Sequence, residues 1–138
     1  MRMIVVGCVM ALAGGCAEIP AGRTGARGAA TQLRTVASGT NQQIGFFDFV
    51  NPDCTPGALP VVRLLKAPRN GHVSIKEEAD YPGFSKDNQR YPCNLHKTPG
   101  VALFYVSNPG YVGEESFAVE TFFPYGGYTT TQYSVVVK

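Results

Sequence analysis

Every second residue of the chain's last segment shares a character. Thr131, Tyr133, Val135 and Val137 fall on one side of residues 129–137. Such period-two patterning predicts a strand with one face toward a core. The same reading puts Phe117, Val119 and Thr121 on one face of residues 116–123, and Leu103 with Tyr105 on one face of residues 101–106. In residues 72–76, Val73 and Ile75 oppose His72, Ser74 and Lys76. Two apolar runs, residues 44–50 and 60–66, read as further strands. Turn residues separate them: Asn51-Pro52-Asp53, then Ala67-Pro68-Arg69-Asn70-Gly71, then Pro124-Tyr125-Gly126-Gly127-Tyr128 as a hairpin connection. The Asn70-Gly71 pair predicts a tight turn because both residues tolerate positive φ. No stretch of ten residues has helical spacing. The pattern predicts an all-β, immunoglobulin-like β-sandwich of about six to seven antiparallel strands, with residues 77–100 as one long loop.

A corner joins two of these strands. In Asn108-Pro109-Gly110-Tyr111-Val112-Gly113, Gly110 and Gly113 are expected to adopt φ values that strain other residues. Tyr111 is expected to lay its ring over the end of the sandwich and send its hydroxyl to a backbone group, while Phe117 enters the core.

The first forty residues lack this patterning. Arg2 is followed by an apolar run to Leu12, then Ala13-Gly14-Gly15 before Cys16, a layout that predicts a signal peptide over residues 1–15. The small-residue run ending in cysteine resembles a bacterial lipoprotein signal, which implies acylation at Cys16. Plain secretion with cleavage near Cys16 or Ala17 is the alternative. Residues 16–40 are rich in Ala, Gly, Thr and Arg and read as a flexible tether, leaving residues 41–138 as the folded domain. Arg23, Arg27 and Arg34 have no acid among them and could meet anionic headgroups beside an anchor, but solvated charges in a linker are the preferred reading.

Charge and cysteines narrow the class. The chain has 12 basic and 10 acidic residues, and losing Arg2 with the signal leaves 11 against 10. That balance argues against a nucleic-acid footprint, which needs a clustered basic face. Cys54 and Cys93 form an even pair in an exported chain and predict a disulfide that pins the long loop. A metal reading fails for want of a Cys-x-x-Cys or a paired histidine, since His96 stands alone near Cys93.

Residues 68–137 resemble the cadherin-like or immunoglobulin-like repeats of bacterial surface proteins. Pro68, Gly71, Val73 and Ile75 match the first part of the repeat pattern. Leu103 and Tyr105 match the second, and Pro109, Gly110, Tyr111, Gly113, Ser116, Phe117 and Val119 match the third. Glu115 stands where the family has Asp, and the insertion at residues 77–100 replaces a short hairpin. The resemblance implies a single exported sandwich domain and specifies no ligand.

Catalytic constellations are sparse. His72 and His96 have no activated nucleophile nearby, no Gly-x-Ser-x-Gly elbow occurs, and the adjacent Glu77 and Glu78 point apart on a strand end rather than flanking one bond. The acids form no calcium-loop pattern. The chain therefore reads as a non-enzymatic module without cofactor or metal. Its candidate binding surface is formed by loop aromatics and cations, namely Tyr81, Phe84, Lys86, Arg90, Tyr91, Tyr125 and Tyr128. Core capping is the competing role for those rings. The expected setting is the periplasmic side of the cell envelope, lipid-anchored to a membrane, with a protein or polysaccharide partner. A purely structural accessory subunit is the alternative.

Overall fold

A computed structural model describes residues 29–138; the signal segment, Cys16 and most of the tether lie outside the described residues. Seven strands are present: β1 (Ala30–Val36), β2 (Gln42–Asp48), β3 (Val61–Lys66), β4 (Gly71–Asp80), β5 (Thr98–Ser107), β6 (Gly113–Phe122) and β7 (Tyr128–Val137). They form two sheets, ordered β1-β7-β6-β3 and β2-β5-β4. This is an immunoglobulin-like sandwich, in which the third, sixth and seventh strands share one sheet and the second, fifth and fourth the other.

The alternating segments fold as their patterning predicts. Leu103, Tyr105, Phe117, Val119, Thr121, Tyr133, Val135 and Val137 are all buried. Tyr105, Phe117 and Tyr133 stack in series across the two sheets, with centroid separations of 5.9 and 4.9 Å. With no Trp in the chain, this three-ring stack fills the centre.

The structure departs from the sequence reading in three main respects. Residues 30–36 are not tether: β1 pairs in parallel with β7, from Ala30 opposite Thr131 to Val36 opposite Val137. The strands are therefore not all antiparallel. Sequence patterning hides β1 because it is an edge strand with only Val36 buried, while Leu33 is 75% exposed. Its hold is the backbone ladder, extended by Ser38 N–H to the Lys138 carbonyl and Lys138 N–H to that of Val36. Next, β4 continues past Lys76 to Asp80, each residue opposite one of β5. Residues 76–79 are exposed, so backbone pairing carries this half without any alternation to reveal it. The long loop consequently shrinks to residues 81–97, and Tyr91–Leu95 within it forms a 3-10 turn.

The third difference concerns turn chemistry. Gly110 and Gly113 do take positive φ, 78° and 142°, but neither Asn70 nor Gly71 does. Gly71 is required for space: a Cβ there would lie 2.6 Å from both the Tyr105 hydroxyl and the Val106 carbonyl oxygen. Tyr111 behaves as expected, packing against the core and donating from its hydroxyl to the Glu114 carbonyl. Glu115 ties this corner to the other turn, because its carboxylate accepts from the backbone N–H groups of Asn70 and Ser116.

Candidate functional site

One end of the sandwich carries a cavity of about 450 Å³, lined by Asp48, Phe49, Val50, Phe84, Arg90, Phe123 and Tyr125. Three segments far apart in sequence build it: the end of β2, the inserted loop, and the β6–β7 turn.

Beyond β2 the chain turns on itself. The Asp53 carboxylate accepts from the Thr55 N–H and hydroxyl, and those bonds hold its pKa below the usual carboxylate value. Asn51 and Thr55 bond through backbone and side chain, and Cys54 sits in the left-handed region at φ 67°. Gly57 donates to the Phe49 carbonyl, and its missing Cβ leaves the space against which the Phe49 ring lies.

The inserted loop is fastened to this turn. Cys54 and Cys93 form the expected disulfide, with Cys93 buried in the 3-10 turn. Beside it, the Asn94 side-chain amide donates to the Phe84 carbonyl and accepts from the Phe84 N–H. Arg90 Nε donates to the Val50 carbonyl at 2.7 Å. A loop with little regular structure thus presents Phe84 and Arg90 in fixed positions. On the third side, Gly126 at φ 87° closes the β6–β7 turn. Tyr125 stacks on Phe123 at 5.4 Å and meets Phe49 at 5.8 Å.

The polar groups differ in character. Asp48 is half-buried, and its Oδ2 has no hydrogen-bond partner among the described residues. Burial pushes its pKa up, opposed weakly by a backbone hydrogen bond. Arg90 brings a guanidinium to the same cavity, anchored through Nε alone among the described residues. The wall is therefore aromatic, with one acceptor and one donor fixed in it, the usual make-up of a small-molecule site.

Of the residues proposed from sequence, the structure brings Phe84, Arg90 and Tyr125 together. Tyr81 stands elsewhere, at the end of β4, with Lys97 Nζ 5.5 Å above its ring. Tyr128 stacks on its cross-strand neighbour Phe122, which Arg63 covers from 5.2 Å. Lys86 and Tyr91 are exposed and do not line the cavity. Sequence reasoning missed Asp48, Phe49 and Val50 as lining residues and Asn94 as the clasp. A signal existed for Asp48, since alternation through Phe47-Asp48-Phe49 turns its carboxylate away from the face the two rings share. None existed for Asn94.

His72 and His96 are exposed and outside the cavity. Among the described residues no three of His, Cys, Asp and Glu stand close enough to hold a metal. A larger hollow, about 560 Å³, crosses β1, β7 and β6, but no aromatic ring lines it. The arrangement at the aromatic cavity sets aromatic walls beside a carboxylate and a guanidinium. No family model matches the chain, and no curated protein or solved structure matches it either.

Proposed function

We propose that this protein is a non-enzymatic exported binding module, tethered in the bacterial cell envelope, which recognises a protein or polysaccharide partner through the aromatic cavity. The observation that carries this reading is the cavity's construction: three separate segments, one stapled by a disulfide, converge on four aromatic rings with a fixed donor and acceptor. The resemblance to single cadherin-like or immunoglobulin-like repeats of surface proteins supports it. The disulfide points to an oxidising, exported environment, and among the described residues no helix is long and apolar enough to cross a membrane. Anchoring at Cys16 accords with the signal layout, and fatty-acid labelling lost in Cys16→Ser tests it. For the binding role, the test is recovery of envelope components by the wild-type chain and by a Phe84→Ala/Tyr125→Ala variant. Equal recovery would remove the cavity from the argument.

A second reading, a purely structural subunit of an envelope assembly, is favoured by edge strand β3, whose Val61, Leu64 and Leu65 are exposed. Native mass of the protein extracted from the envelope separates the two, because a stable stoichiometric complex supports the structural role.

A further inference from the structure

We propose that the cavity is a saccharide site, taking one or two rings of a neutral glycan against Phe84, Phe123 and Tyr125 while the sugar hydroxyls bridge Asp48 and Arg90. This deepens the binding reading and rests on it. The argument is one of complementarity. A purely apolar ligand would cover the Asp48 carboxylate and the Arg90 guanidinium without offering either a partner, and burying unpaired charges is unfavourable. A cationic ligand would suit the rings and Asp48 but meet the Arg90 charge, while an anion would suit Arg90 and meet Asp48.

A hydroxyl resolves this conflict because it both donates and accepts. Neighbouring hydroxyls on one ring can donate to the Asp48 carboxylate, which lines the cavity, and accept from the free nitrogens of Arg90. The remaining ring surface of a sugar is made of C–H groups, which suit aromatic walls. The cavity's volume, about 450 Å³, lies in the range of small-molecule sites. Its walls are also pre-formed: Asn94 holds Phe84, and Val50 holds Arg90, so little ordering remains for binding to oppose.

The experiment is a titration of the full exported chain with cellotriose and with N,N′,N″-triacetylchitotriose, with choline and inorganic phosphate as charged comparators. The chain has no Trp, so the summed fluorescence of its seven Tyr follows binding without an indole background. Amide shifts give the location. The expected result is saturable binding of at least one oligosaccharide, with shifts at Asp48–Val50, Phe84, Arg90 and Phe123–Tyr125. Tyr125→Ala and Asp48→Asn should each weaken it about tenfold, the loss of one aromatic contact or one charge-assisted bond. Thermal melting of each variant confirms that it is folded. Silence of both oligosaccharides overturns the proposal, as does saturable choline or phosphate binding at these residues. If neither sugar binds but envelope recovery still depends on Phe84 and Tyr125, the saccharide assignment falls and the binding-module reading stands. If recovery is also indifferent to those residues, both fall.

Discussion

Gly71 sits where two parts of the core meet its turn, and its role is testable at a single atom. Gly71→Ala sets a methyl 2.6 Å from the Val106 carbonyl and the Tyr105 hydroxyl. The carbonyl belongs to the β4–β5 ladder and cannot swing away. The expected cost is about 2–3 kcal/mol, read from denaturant midpoints, as for other overpacked sites. Adding Tyr105→Phe should recover only part, because the carbonyl clash stays. Alone, Tyr105→Phe should be neutral or slightly stabilising at neutral pH, since that buried hydroxyl has no partner among the described residues. Its effect grows in alkali. Desolvation, with the Glu115 charge nearby, pushes the Tyr105 pKa up to about 12. Between the unfolded value near 10 and about 12, the folded chain keeps a proton that the unfolded chain has lost, so stability falls as pH rises through that window. Denaturant midpoints followed over that range should fall less steeply in Tyr105→Phe than in the wild type. The turn at Gly71 was legible from Asn-Gly; the reason for the glycine was not, because it depends on a residue 34 positions later in the chain.

Among the strands, legibility follows burial. The segments now seen as β5, β6 and β7 bury one face continuously, so their alternation survives in the sequence. In β1 and the second half of β4 the stabilising groups are backbone N–H and C=O, which every residue has, and side-chain pattern cannot report them. The correction at β1 makes a prediction. A chain beginning at Asn41, the boundary read from composition, lacks the ladder to β7 and the buried Val36. Against a chain beginning at Ala29 it should lose at least about 3 kcal/mol, from Val36 burial and the ladder bonds together. Equal melting of the two would return residues 30–36 to the tether. The inserted loop shows the opposite case, where the staple was legible and the clasp was not. Cys54 and Cys93 are 39 residues apart, for which chain entropy gives about 4 kcal/mol of stabilisation. A Cys54→Ser/Cys93→Ser variant should lose up to that amount. It should also speed amide exchange through residues 84–94, since without the bond the Arg90–Val50 hydrogen bond is left as the long-range tie of the 3-10 turn and the Asn94 clasp.

Across the molecule, the sandwich places a stable core at its centre and its least favourable charge at one end, where loops from both sheets meet. Asp48 is the point at which stability and proposed function oppose one another. Burial raises its pKa above the usual carboxylate value of 3.8. As pH rises from that value through the folded one, the unfolded chain ionises first, so this group lowers stability across the window and the loss persists to neutral pH. Half-exposure and solvent screening keep the effect small. Asp48→Asn should therefore melt slightly higher than the wild type near neutral pH. Well below the carboxylate range, where the wild-type group is protonated in both states, the gain should vanish. The same substitution should weaken saccharide binding, because an amide oxygen accepts less strongly than a carboxylate. Thermal melts at the two pH values, paired with one cellotriose titration, read both effects on one variant. A structural carboxylate would lose stability on becoming an amide. A binding carboxylate in this position should gain stability and lose ligand, and a fall in melting temperature near neutral pH would assign Asp48 to the scaffold instead.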